Sequence, residues 1–121
     1  DPEYAEAYSN VGLVYLMKAQ DYADKATTDI NDPKYAEAQA VVKKFYEEAK
    51  PFYEKFIELT LADPKFDLKK SGKDLIESYK YLGDYYFSVA NDKATSKTYW
   101  LKVLEIDPND KQAKEVLSGL K

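Results

Sequence analysis

Cysteine, histidine and arginine are all missing from this 121-residue chain. Without cysteine there are no disulfides, thiolate nucleophiles, zinc–thiolate sites or iron–sulfur clusters. Without histidine the commonest general base and the commonest metal ligand are gone. Without arginine all 18 basic residues are lysine, and forked recognition of phosphate is out of reach. The net charge is −4, which argues against nucleic acid as a partner. No apolar run is long enough to span a membrane, so no membrane insertion is expected. What is present is a globular composition: 45% hydrophobic and 15% aromatic residues, 12 of them tyrosine. Such a chain is too apolar for disorder, and its length suits one domain. The composition points away from an enzyme and calls for no cofactor.

Four of the five prolines (Pro2, Pro33, Pro64 and Pro108) follow an aspartate. Asp-Pro is a favourable helix start, because aspartate caps and proline tolerates the first helical position. Apolar residues then recur at helical spacing. The first series is Tyr4, Tyr8, Val11, Tyr15, Ala19, Tyr22 and Ala26. After a turn-rich stretch over 27–32, a heptad stripe runs Tyr35, Ala38, Val42, Phe45, Ala49, Phe52, Phe56 and Leu59. That stripe predicts one helix from Pro33 to about Ala62, roughly 43 Å long, bent but unbroken at Pro51. A connection is expected over 63–72, with Pro64, Ser71 and Gly72 as breakers. Leu75, Tyr79, Leu82, Tyr86 and Val89 predict a third helix ending near Ala90. Tyr99, Trp100, Val103, Leu104 and Ile106 predict a fourth, and Ala113, Val116, Leu117 and Leu120 a short fifth. No window alternates as a strand would, so the fold class is all-α.

Two segments share a pattern. Tyr8-x2-Val11-Gly12-x2-Tyr15, Ala49-x3-Tyr53 and Pro64 are followed by Tyr79-x2-Leu82-Gly83-x2-Tyr86, Ser96-x3-Trp100 and Pro108. This resembles the tetratricopeptide repeat family over nearly the whole chain. The resemblance implies a right-handed stack of antiparallel helix pairs, with two repeats and a capping helix. Repeat one is placed at about 3–63, with an inserted hairpin at about 19–45 that elongates it into a projecting antiparallel coiled coil. A linker follows at about 64–73, repeat two at about 74–108 and the cap at about 110–119. The final helix matches a repeat start only in Leu117 and Ser118, with Lys114 where the large aromatic stands elsewhere. Asp1-Pro2-Glu3-Tyr4-Ala5-Glu6-Ala7 recurs as Asp32-Pro33-Lys34-Tyr35-Ala36-Glu37-Ala38. This is read as a shared helix-start motif, since Lys43 stands where a third repeat would need glycine. The chain opens without methionine or a leader, so it reads as a processed chain or a fragment of a longer protein, with further repeats possible upstream.

The family resemblance implies a non-catalytic scaffold that binds a protein or peptide in a concave groove lined by first helices. The candidate contacts are Ser9, Leu13, Leu16 and Met17 in the first helix, and Lys80, Tyr81, Asp84, Phe87 and Ser88 in the third. Some family members grip a C-terminal carboxylate with lysine and asparagine. Ser9 and Leu13 stand in the matching places here, so that clamp is not expected. Apolar anchors such as Leu13, Met17, Tyr81 and Phe87 suit an extended or helical peptide. Tyr8, Tyr15, Tyr53, Tyr79, Tyr86 and Trp100 match buried family positions, while Tyr22, Tyr35 and Tyr46 fall on the hairpin. The alternative is a structural role, with self-association through that hairpin or the ends of the stack. Asp29, Asn31 and Asp32 do not make a calcium loop, because Pro33 takes the next ligand place and no glycine follows. The extended variant, with Ala49-Lys50-Pro51-Phe52, resembles bacterial members often found in the envelope or periplasm.

Overall fold

The computed structural model describes residues 2–120, and among them it shows five α-helices and no strand. They are α1 (Pro2–Lys25), α2 (Pro33–Ala62), α3 (Leu68–Ser88), α4 (Lys93–Ile106) and α5 (Lys111–Gly119). Aspartate side chains start four of them. Asp32, Asp67, Asp92 and Asp110 accept from the backbone N–H of Lys34, Lys69, Thr95 and Ala113, satisfying donors that the helix itself leaves free. The Asp1 cap expected for the first helix lies outside the described residues.

Pro2 and Pro33 open α1 and α2, and Pro64 and Pro108 stand in the turns after α2 and α4, at the breaker and closing positions expected of them. Asp63 and Asp107 are C-caps of α2 and α4. Their carboxylates accept from the N–H of Lys65 and Asn109 at 2.8 and 3.1 Å, closing turns that Pro64 and Pro108 cannot continue as helix. The link expected over 64–73 is shorter than that. Asp67 caps a helix starting at Leu68, and Ser71 and Gly72 lie inside α3. An interior helical glycine costs only about 1 kcal/mol, and Gly72 is buried where it passes Ile106. The α3–α4 turn is made by Asn91 in the left-handed region at φ 55°. Asparagine tolerates that conformation, and the N–H of Asp92 bonds back to the Tyr86 carbonyl at 2.7 Å.

α1 and α2 form one antiparallel pair, and α3 and α4 a second. α2 packs on α3, and α5 on α4. Both pairs cross at a glycine. A methyl group on Gly12 would lie 2.7 Å from the Tyr53 ring, and one on Gly83 would lie 2.5 Å from Trp100 Nε1. One turn before each aromatic stands a fully buried small residue, Ala49 or Ser96. The Ser96 hydroxyl donates to the Gly83 carbonyl at 2.7 Å. Of the aromatics expected inside, Tyr53, Tyr79 and Trp100 are buried. Tyr8, Tyr15 and Tyr86 are half-buried against the same clusters.

Tyrosines also join the two pairs. Tyr81 of α3 stacks against Tyr53 at 4.5 Å and Tyr46 at 6.2 Å between ring centres, and its hydroxyl donates to the Tyr46 carbonyl. Burial pushes the Tyr81 hydroxyl well above the usual range and that of Tyr53 up to about 12, so both stay protonated donors at neutral pH. Lys50 of α2 sets its ammonium 5.3 and 5.2 Å from the ring centres of Tyr85 and Tyr86, a favourable placement over aromatic faces.

The outer part of the first pair is different. Ala19 and Ala38 are buried, but no residue from Gln20 to Glu37 is. Every stripe residue of α2 from Tyr35 to Leu59 is nonetheless at least half-buried, as the heptad reading requires. α2 is continuous through Pro51, which lies on its exposed side. There water can serve the carbonyl that proline leaves without a donor.

Candidate functional site

The expected contact residues divide between two hollows and the core. Ser9 and Leu13 border a shallow depression of about 90 Å³ between α1 and α3, floored by Tyr53 and Ser78. Ser9 is not free there, because its hydroxyl donates to the Glu6 carbonyl at 2.9 Å. Leu13 is 49% exposed, and Met17, one turn further along α1, is 62% exposed. Leu16 is half-buried against Tyr53 and Tyr81. Tyr81 itself is only 6% exposed. It is therefore corrected from a groove contact to a core residue: its ring closes the junction between the two pairs, where a solvated position would leave Tyr53 uncovered.

Lys80 turns away from that depression and pairs with Asp110 at 2.9 Å. Asp110 also caps α5 through the Ala113 N–H at 2.9 Å. One carboxylate thus fixes the last helix to α3. These bonds hold its carboxyl below the usual range, the Lys80 hydrogen bond most of all and then the Ala113 N–H.

Asp84 and Phe87 face a larger pocket of about 300 Å³ between α3, α4 and α5, with Trp100 among its walls and Val116, Gly119 and Leu120 on the α5 side. Phe87 is 47% exposed. Asp84 reaches solvent, yet desolvation by the surrounding protein raises its carboxyl above the usual range, opposed only in part by Lys80. Glu115 adds a second carboxylate at the rim. Ser88, the next candidate, turns its hydroxyl back onto the Asp84 carbonyl at 2.7 Å. The α5 residues were not singled out by sequence reasoning. Their signal was the pair Val116 and Leu120, one helical turn apart on a helix that otherwise reads as a solvated cap.

Two other hollows are less suited to a ligand. One of about 350 Å³, between α1, α2 and the start of α3, contains Asp63 and Asp67, whose carboxylates already hold backbone N–H groups. The other, about 480 Å³, is framed at the hairpin tip by Asp21, Lys25, Lys34 and Glu37. Among the described residues, no group of three or more acidic side chains is arranged to hold a metal ion, and no helix is long and apolar enough to cross a membrane. In comparison with known proteins, the chain matches no family model, no curated protein and no solved structure.

Proposed function

We propose that this chain is a non-catalytic interaction scaffold of the tetratricopeptide kind, which binds a peptide or protein segment along the face of α1 and α3. The observation that carries the reading is the exposure of Leu13, Met17 and Phe87 on those two helices, at 49%, 62% and 47%. Apolar anchors left in solvent beside shaped hollows suit partner binding. The repeated glycine–aromatic crossing in both helix pairs supports the family reading, since stacked repeats share each crossing geometry. An affinity of order 1 µM, about −8 kcal/mol, would be ordinary for such a segment.

The test is a native pull-down with mass spectrometry, comparing wild type with a Leu13→Lys, Met17→Lys, Phe87→Lys variant. All three side chains are exposed, so the variant is expected to fold as wild type does by circular dichroism. A partner held by the wild type and lost by the variant supports the scaffold. Identical partner sets for the two baits would sink it.

A second reading, self-association, is favoured by one observation. Tyr4, Val11 and Val14 are 53%, 40% and 48% exposed on α1. It predicts a mass that rises with concentration in sedimentation and falls back to monomer in Val11→Lys, Val14→Lys.

A further inference from the structure

The chain contains two versions of one helix junction, and an aromatic ring from the incoming helix packs at only the first. Aligning Leu117-Ser118 on Leu82-Gly83 places Ala113 on Ser78, Val116 on Tyr81, Gly119 on Asp84 and Leu120 on Tyr85. Aligning Leu82-Gly83 on Val11-Gly12 places Asp84 on Leu13 and Phe87 on Leu16, with Trp100 answering to Tyr53. The structure respects both registers. Ser78 and Ala113 are 1% and 0% exposed, and Tyr53 and Trp100 each face the glycine of their own pair.

At the first junction the Tyr81 ring lies on Tyr53 at 4.5 Å, with Tyr85 and Leu16 packed into the same cluster. At the second junction the matching positions are Val116 and Leu120. Smaller side chains leave the pocket of about 300 Å³ beside Trp100. The internal comparison therefore points to an aromatic ring over Val116 and Leu120, where Tyr81 and Tyr85 stand at the first junction, with the fully buried indole beneath. The rim specifies its neighbours. Among the described residues, the charged groups lining the pocket are Asp84 and Glu115, both acidic. Lys80, one turn before Asp84, is spent on Asp110, and Lys114, next to Glu115, does not line the pocket. Asp84 is the carboxylate that desolvation already disfavours, so an added cation would relieve it.

We propose that the α3–α4–α5 pocket takes the aromatic side chain of a basic peptide segment from a partner protein. The ring would lie against Phe87, Val116 and Leu120, above the buried indole of Trp100, and a flanking lysine or arginine would meet Asp84 and Glu115. This assignment rests on the interaction-scaffold reading and names the chemistry of its partner.

Trp100 is the sole tryptophan, so its indole N–H gives one resonance in a ¹⁵N-correlated spectrum. The probes are the blocked tripeptides Lys-Tyr-Lys, Lys-Ala-Lys and Glu-Tyr-Glu, titrated against the full chain. Lys-Tyr-Lys is expected to move that resonance saturably, with a dissociation constant on the order of 1 mM for so small a ligand. Lys-Ala-Lys should leave it in place, and Glu-Tyr-Glu should bind at least threefold more weakly. Val116→Tyr or Leu120→Tyr, filling the pocket from within, should weaken Lys-Tyr-Lys tenfold or more. Asp84→Asn with Glu115→Gln should abolish the preference for lysine over glutamate and leave aromatic binding.

Equal shifts from Lys-Ala-Lys and Lys-Tyr-Lys would overturn the proposal. So would undiminished binding to a folded pocket-filling variant. A resonance that moves with protein concentration alone would put a second copy in the pocket and overturn the assignment to a partner. Tripeptide failure beside a pull-down partner lost with Leu13, Met17 and Phe87 removes this inference and spares the scaffold. Tripeptide success beside unchanged pull-downs does the reverse for the α1 face.

Discussion

Gly12 and Gly83 have no side chain because the facing helix leaves no room for one. At Gly83 the nearest atom to an added methyl is Trp100 Nε1, at 2.5 Å, on a ring that is 0% exposed and has nowhere to move. Its N–H is buried without an acceptor, and the Gly83 carbonyl is taken by Ser96. The close approach is thus kept although it leaves one donor unmet, which indicates how strongly packing dominates here. Gly83→Ala is expected to destabilise by about 1–3 kcal/mol through overpacking, read by urea unfolding followed through Trp100 fluorescence. Gly12→Ala should cost less, since it meets a Tyr53 ring edge that retains 6% exposure. Wild-type stability in Gly83→Ala would show that the α3–α4 crossing has slack.

Helix ends carry most of the electrostatics, and α5 shows it best. With only nine residues, α5 is too short to hold by itself. It depends on Asp110, which both caps it and pairs with Lys80. The Asp110 carboxyl is lowered in the folded state. Its contribution is therefore present above the unfolded value near ~4 and is lost as pH falls through the lowered folded value. Asp84 has the opposite sign. Its carboxyl is raised, so ionisation weighs against the fold, and protonation relieves it as pH falls through the raised value. Asp110→Ala should cost about 1–2 kcal/mol at pH 7 and progressively less as the medium is acidified. Asp84→Asn should be neutral or stabilising at pH 7. Thermal unfolding of both variants across the acidic range checks the two signs. A constant deficit for Asp110→Ala at every pH would mean that the cap geometry, and not the charge, holds α5.

Across the whole molecule, stability is unevenly spread. Ala49, Tyr53, Leu75, Leu82, Trp100 and Val103 form the buried centre, whereas nothing from Gln20 to Glu37 is buried. Local opening follows buried contact. Amides over 20–37 are therefore expected to exchange by local opening, orders of magnitude faster than those of 75–83, which should require global unfolding. Hydrogen exchange followed by mass spectrometry reads this directly. Equal protection in both regions would mean that the hairpin tip is covered in solution by something further, as the self-association reading requires.

The helices were legible in the residue pattern. Apolar spacing placed Pro33–Ala62, Lys93–Ile106 and the short last helix, because periodicity is a local property of the chain. It also marked Gly12 and Gly83 with their aromatic partners, because the pattern repeats. It misjudged the far end of the 64–73 link, where Ser71 and Gly72 read as breakers, yet Asp67 caps a helix that starts at Leu68 and holds both inside it. The tertiary structure alone decided which tyrosines are interior. Tyr81 and Phe87 read as equivalent anchors, yet the fold turns Tyr81 onto Tyr53 and leaves Phe87 in solvent. The pocket beside Trp100 has the same origin. It exists because Val116 and Leu120 are smaller than the rings at the matching junction, a difference of volume that acquires meaning only when three helices meet.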